Sequence, residues 1–552
     1  MDLLICAVLA ILELLVYNGS RQQVDSPSAE TVSFRVAQLW PLVLVQYLAF
    51  KYYRIFIYPH HISPLRHLPG PQNNHFFLGQ TIHLLRADTP TTLYIEWMKQ
   101  YPDAPFIRYL SFANTEVLVP NSINSHKEVL QAQCYSLSKA KFFLRIVKEV
   151  AGHGLILMEG DEHKAHRRML GNSFQLKNIR KLEPIFQDKA KDICRFFEKN
   201  IAKNDGRTGT FDCTDTFSKA ILDIMGSAIL GVDLDYVKPD EARNKTTNGA
   251  FSHGCTFHEA YDVFFAPGPI GKLLLFFNGF IPTRWLPLKA NQEFLFAMSW
   301  LNDALTNIIR DRYRDVSTAM AAGNYEHKDS RDLVTFIVEE SMPGGSAQGI
   351  GEKEFLGHLL EFMAAGHDTS ANMLSWSCLI MATNHDIQDK LREEIRGLPI
   401  NSTFAEIDKL PYLENFVKES LRVYSPATTY HREADVDLTI EGIRIPKGTL
   451  VDLCPSVTLL NPTIWGPDAE YVVPERWSRL TDKQTSPYAF NAFSNGPRIC
   501  IGRQFALFEI KTILVEIIRN FRFLAVEKPF KVENPGFTLR PAGLEVKVER
   551  NH

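Results

Sequence analysis

Phe493-Ser-Asn-Gly496-Pro-Arg498-Ile-Cys500-Ile-Gly502-Arg-Gln-Phe-Ala506 surrounds one cysteine with two glycines, an arginine and the start of an apolar run. Glycines at 496 and 502 let the backbone turn tightly and approach a flat partner with no Cβ in the way. Arg498 supplies a fixed charge within reach of an acidic group. Phe505 to Ile518 is apolar enough to read as a helix beginning just behind Cys500. A helix N-terminus, nearby cations and above all a bound metal favour thiolate over thiol. A lone cysteine in such a loop would read as a buried structural residue. With Phe493, both glycines, Arg498 and Ala506 in register, Cys500 reads instead as the thiolate ligand of a heme iron.

Three more strings precede it in the chain: Ala364-Ala365-Gly366-His367-Asp368-Thr369-Ser370, Glu419-Ser-Leu-Arg422 and Pro474-Glu475-Arg476-Trp477. Asp368 and Thr369 lie in an otherwise apolar helical stretch, where a charge costs free energy unless it is paired or wet. A threonine hydroxyl both donates and accepts a hydrogen bond, and Gly366 clears room for a small ligand. Glu419 and Arg422, three apart, share one helix face. An exposed pair of this kind contributes little. A buried one is costly to break, and the surround from Phe416 to Tyr424 is largely apolar.

In this order the four strings resemble the signature of the cytochrome P450 family, from about Pro64 to the C-terminus. The resemblance implies a mainly α fold with small β-sheets and a long central helix over heme b. It makes Cys500 the metal ligand, with Phe493, Gly502 and Gly366 lining the cofactor site. Thr369 becomes the proton-relay alcohol and Asp368 its neighbouring acid. Glu419, Arg422 and Arg476 become the structural triad that fixes the cysteine loop. Arg498, Arg432 and Arg167 are the arginines for the heme propionates. Arg167 belongs to Gly160-Asp-Glu-His163-Lys-Ala-His-Arg167, where His163 replaces the family's usual tryptophan and can still donate to a propionate. Arg167, Arg168 and Lys164 read equally as a solvated basic face suited to an acidic electron-donor protein.

At 552 residues and 45% hydrophobic composition the chain can bury a large core, and its length alone would allow two domains. No linker divides the body, so one large domain over residues 72–552 is expected. A net charge of −3 gives no polyanion signal, and nucleic acid is not an expected partner. Eight cysteines without CxxC spacing point away from a disulfide framework or zinc site and fit a reducing compartment.

The N-terminal part has a different composition. Residues 3–17 and 36–58 are apolar runs, the second ending in aromatic and basic residues that include Lys51 and Arg54. The first has no Lys or Arg ahead of its apolar core, which speaks against a cleaved signal peptide. Residues 1–58 are therefore expected to be a membrane anchor of one or two spans, followed by a proline-rich hinge over 59–71. Positive charge after the second run places the body on the cytosolic side, and the family's membrane-anchored members imply the endoplasmic reticulum.

In the body, Asp215–Leu230, Gln292–Tyr313, Ser330–Ser341 and Glu352–Thr383 carry helical periodicity. Residues 105–110 and 116–119 read as strands, and 436–452 and 537–548 as hairpins. Residues 264–288 form an apolar loop, either a core linker or a patch touching lipid and substrate. The chain has no dinucleotide fingerprint, so electrons must come from a separate protein, by resemblance the NADPH-cytochrome P450 reductase. The expected function is a heme-thiolate monooxygenase that uses O2 to hydroxylate or epoxidise a small apolar substrate. Phe362, Met363, Ala365 and residues 426–429 are expected to line its pocket. The string His367-Asp368-Thr369-Ser370 and the His166-Arg167-Arg168 segment resemble enzymes of fungal specialised metabolism. The competing readings are a heme-thiolate isomerase or dehydratase needing no O2, and a non-catalytic heme-binding scaffold.

Overall fold

The computed structural model describes residues 6–10, 13, 29–204, 206–237, 255–323, 332–345 and 347–551. Most of the expected 3–17 run lies outside these residues. At the centre is the helix Glu352–Thr383, with the bounds expected from its periodicity. Its first turn is capped by Glu354 Oε2, which accepts from the Gly351 N–H at 3.2 Å. At the other end Asn384 returns both its backbone N–H and its Nδ2 to the Ile380 carbonyl. It contains no proline and is buried on nearly all sides, the pattern of a helix at the heart of a large domain. Cys213–Met225 packs along it, and Lys289–Ala321 and Arg503–Asn520 complete the bundle. Phe186, Phe197, Phe217, Phe355, Phe508 and Phe521 are each fully buried there, and each stabilises the fold by about 1.5–3 kcal/mol.

A smaller lobe holds a five-stranded sheet in the order Phe106–Leu110, Glu116–Pro120, Leu450–Leu453, Tyr430–Ala434 and Leu137–Lys139. Glu116–Pro120 and Leu450–Leu453 run parallel, and the remaining pairs are antiparallel. The sheet joins residues more than 300 apart, so the loops before and after the central helix meet above one region.

Four expectations change. Residues 537–548 do not pair with themselves: Pro541–Ala542 pairs with Lys531–Val532, and Glu545–Arg550 lies between Thr208–Asp212 and Phe521–Val526. The alternation was real, but its partners are distant strands. Residues 264–288 are not a loop. They contain the end of the helix Phe257–Phe265 and the helix Pro269–Asn278, bent by 69° from it. Gly268 and Pro269 at the break are good helix-start residues, not helix absences. The hinge begins inside a helix, because the chain stays helical through Pro59 to Ile62 in a widened turn. The 36–58 run falls within Ala29–Tyr52 and this widened segment. Among the described residues no single helix is long and apolar enough to cross a membrane.

Candidate active site

Cys500 is presented by a turn closed by its own N–H donating to the Phe493 carbonyl at 2.9 Å. Gly496 sits at φ +70°, and a Cβ there would lie 2.1 Å from the Leu130 carbonyl oxygen, so the loop docks on that carbonyl only with glycine. The close approach at Gly496 is to the backbone of Leu130. Gly502 has an ordinary φ of −83°, and its missing Cβ leaves clear the space beside the Cys500 sulfur, 4.0 Å away. Phe493 is half-buried, with Arg503 stacked 5.9 Å from its ring centroid. Among the described cysteines Cys500 alone is exposed, Cys255 is half-buried and the others are buried. Burial pushes the thiol pKa up, while the Gly502 N–H, Arg167 and Arg503 pull it down.

A cluster of cations converges beside this loop. Arg498 pairs with Glu159, which also accepts from Lys139 Nζ at 3.1 Å and from the Lys139 N–H at 2.9 Å. Burial, followed by Arg498, lowers Lys139 to about 8. Burial and Arg498 likewise lower the half-buried Arg432 to about 10. One carboxylate thus faces three cations, and Arg498 Nε and Nη1 are buried without a hydrogen-bond partner. This surplus of donors and positive charge fits the two propionates of heme. The residues present therefore suit the cofactor: Cys500 to hold iron, and Arg498, Arg432 and Lys139 for the acidic edge.

His163 is buried and meets the Tyr135 hydroxyl through Nδ1 at 3.1 Å. Burial and Arg498 hold it to about 4, so it is a neutral hydrogen-bonding ring. Arg167, partly buried, is electrostatically coupled to Cys500 and Glu361. Lys139, Glu159 and Tyr135 complete this corner and were not singled out by the sequence, which offers no local signal for them.

The central helix is buried through Phe362, Met363 and Ala364, and again at His367, Asp368 and Ser370. Ala365 is exposed and Gly366 and Thr369 are half-exposed, so a single strip one turn long faces open space. Thr369 Oγ1 donates to the Ala365 carbonyl at 2.7 Å, leaving its lone pairs free. Met363 is fully buried in the core and is not a pocket residue. Gly366 does not clear space for a ligand: a Cβ there would meet Met225 Cε at 2.4 Å, so its role is close packing against Cys213–Met225. Asp368 turns away from Thr369. It accepts from Asn372 Nδ2 at 3.0 Å and from the Thr538 hydroxyl, with Arg540 Nη1 at 3.7 Å. Burial nevertheless holds its pKa above the usual range, against Arg540 and Thr538. His367 is a buried packing residue, its Nε2 2.8 Å from the Ser218 hydroxyl.

Glu419 and Arg422 are fully buried and form a two-pronged pair, with Nε and Nη2 each 2.8 Å from a carboxylate oxygen. Glu419 also accepts from the Val473 N–H at 2.9 Å, Arg476 Nε at 3.3 Å and Trp477 Nε1 at 2.9 Å. Arg422 donates to the carbonyls of Leu459, Ala469 and Tyr471. The meander before the cysteine loop is therefore tied to one helix through a single carboxylate.

Glu509, nine residues past Cys500 in an apolar run, could have been noticed as its only acid before Glu516. It is fully buried beside Ser370, and neither carboxyl oxygen makes a well-formed hydrogen bond. Burial raises its pKa to about 8. Since this lies above an unfolded value of about 4.3, its contribution is present below about pH 4.3 and is lost as pH rises toward 8. Glu509→Gln, which mimics the neutral acid, should gain stability relative to the parent as pH rises from about 5 to 8. Parallel thermal melts would show this, and a constant difference across that range would assign the pKa wrongly.

These elements define a heme-thiolate oxygenase site on a helical scaffold. A cytochrome P450 family profile matches residues 69–548. The chain is 30% identical over 511 residues to cytochrome P450 monooxygenase sphH of Aspergillus fumigatus, covering 89% of each chain. It is 27% identical to cytochrome P450 monooxygenase FUM15 of Gibberella moniliformis, covering 93% and 92%. Cytochrome P450 monooxygenase 205 of Postia placenta is 28% identical, with coverage of 85% and 88%. The chain belongs to the cytochrome P450 family: it is a monooxygenase whose cofactor is heme.

Proposed function

We propose that this monooxygenase inserts one oxygen atom from O2 into a C–H or C=C bond of a small, mainly apolar substrate of fungal secondary metabolism. Electrons come from NADPH-cytochrome P450 reductase. The observation that carries this reading is the accessible Ala365–Thr369 strip on an otherwise buried helix, together with the one exposed cysteine. Heme, when bound, supplies the iron chemistry that activates O2. Cys500 would hold the metal and Arg498, Arg432 and Lys139 the acidic edge, with His163 and Arg167 beside them. Thr369 accepts a hydrogen bond through its free lone pairs and hands on a proton through Oγ1. Asp368, buried and held by Thr538 and Arg540, makes no direct contact with it.

Thr369→Ala should leave heme content and substrate binding intact. Product formed per NADPH should fall by about 10- to 100-fold while hydrogen peroxide rises. An unchanged yield would give the proton relay to another group.

An anchor over residues 1–58 in the endoplasmic reticulum, with a cytosolic body, fits this electron supply. The surface beside it supports the same placement: Phe76, Ile270, Leu273, Ile281 and Trp285 are exposed, Trp285 at 76% and Phe76 at 73%. Intact microsomes carrying the chain test the whole reading. NADPH should drive incorporation of isotope from labelled O2, and added protease should digest the body without detergent. Turnover without O2 would sink the oxygenase assignment, and a protected body the orientation.

A further inference from the structure

Just past the N-terminal helices, residues 69–74 lie along the strand Phe106–Leu110. The Arg108 N–H donates to the Pro69 carbonyl at 2.8 Å, and the Tyr101 hydroxyl to the Gly70 carbonyl at 3.2 Å. Between this segment, the widened turn at Pro59 and the strand is a cavity of about 170 Å³. His60, Arg66, Gln72, Asn74 and Arg108 are among the residues that line it, and none of the lining residues is acidic. The chemistry at Cys500 uses none of these groups.

Arg108 is held in place. Its Nε donates to Glu116 Oε1 at 2.8 Å and its Nη2 to the Pro59 carbonyl at 2.5 Å. Nη1 has no partner among the described residues and is not sealed in the core, so it is left for the cavity. The Arg66 guanidinium is exposed and, among the described residues, has no hydrogen-bond or ion-pair partner. Gln72 and Asn74 each spend one amide N–H on the loop, on the Gly70 and Pro71 carbonyls at 2.9 Å, and keep the second. After burial, Arg108 and His61 are what lower the pKa of His60, against Glu116, so the field there is positive. Several donors and two guanidinium groups without a lining acid fit an anion that carries several oxygens.

The cavity borders an apolar surface. Tyr52 and Ile62, on either side of the widened turn, are exposed, as are Phe76 and Phe112. Asn114 Nδ2 ties this face together, donating to the Ile55 carbonyl at 3.1 Å and the Phe76 carbonyl at 2.8 Å. Phe56, Phe77, Phe112 and Phe280 continue it, with successive ring centres 6.3, 5.4 and 5.7 Å apart. A positive polar cavity at the rim of such a face suits an amphiphile, with its head in the cavity and its chains on the rings.

We propose that this cavity binds the phosphate of an anionic phospholipid, with Arg66 and Arg108 on its oxygens. The acyl chains then lie along the Phe76 and Phe112 surface. This goes beyond the oxygenase reading and rests on the placement of the body at a membrane. A free phosphate would make the same hydrogen bonds but bury no apolar surface, so the lipid is the favoured source.

The test uses the full heme-loaded chain in neutral detergent, where binding does not depend on insertion or orientation in a bilayer. A fluorescent short-chain phosphatidic acid is titrated and followed by its anisotropy. Unlabelled phosphatidic acid should displace it at about tenfold lower concentration than phosphatidylcholine of the same chain length or inorganic phosphate. Arg66→Gln should weaken phosphatidic acid about fivefold, and Arg66→Lys should keep most of the affinity. Arg314→Gln, at an exposed position on Lys289–Ala321, is the control and should bind as the parent does. No saturable binding, equal displacement by phosphatidylcholine, or an unchanged affinity in Arg66→Gln overturns the proposal. An equal loss in Arg314→Gln also overturns it, because general surface charge would then explain the binding. Inorganic phosphate as effective as phosphatidic acid would overturn the lipid as the ligand. A body protected from protease in microsomes, with phosphatidic acid still bound in detergent, would be a failure of the orientation alone.

Discussion

Cys500→Ala should abolish the thiolate Soret signature of the carbon monoxide complex and reduce turnover to background. The loop geometry makes this an all-or-none effect. Among the described cysteines Cys500 alone is exposed; burial raises its thiol pKa, and the Gly502 N–H, Arg167 and Arg503 work against that rise. Heme binding itself should weaken less than the signature, because Arg498, Arg432 and Lys139 would still hold the acidic edge. Cys454→Ala is the control. That thiol is fully buried and pushed up to about 12 by burial, which disfavours a thiolate there. Optical spectra of the two purified variants decide the matter. A surviving signature in Cys500→Ala, or its loss in Cys454→Ala, would move the ligand elsewhere.

Glu419→Ala should cost the fold about 3–5 kcal/mol, because it leaves Arg422 and Arg476 as buried charges without their shared carboxylate. Trp477 Nε1 and the Val473 N–H lose their acceptor at the same time. Against a net stability of about 5–15 kcal/mol, this should keep most of the chain from accumulating with heme. Glu475→Ala removes a neighbouring, partly exposed carboxylate paired with Lys390 and the Tyr412 hydroxyl, and should cost only about 1 kcal/mol. Heme content per chain and thermal midpoints measure both. Similar behaviour of the two variants would mean that Glu419 is not the tie that holds the meander.

Much of this site was legible before any contact was known. The cysteine loop, the Glu419–Arg422 spacing and the central helix are local patterns: turn residues, an i,i+3 pair and a 3.6-residue period. Each is a property of neighbouring residues, so spacing alone reports it. Met363 and Gly366 show where that method stops. One precedes the accessible strip and the other lies within it, but each helix position points about 100° from the last. Met363 therefore falls into the core, and Gly366 against Met225.

What the sequence determined by itself was the class of chemistry: a thiolate ligand, a heme, an oxygenase helix and an ion pair beneath them. Tertiary structure alone decided the partners. Arg498 meets Glu159 across 339 residues, Asp368 meets Thr538 across 170, and Tyr94 meets Asp452 across 358. No periodicity carries information over such separations. These contacts exist because a parallel strand pair and the packed central helix bring distant loops together, and burial then makes each unpaired charge too costly to leave alone. Ligand chemistry is local and can be read along the chain, whereas compensation of buried charge depends on whatever the fold places next to it.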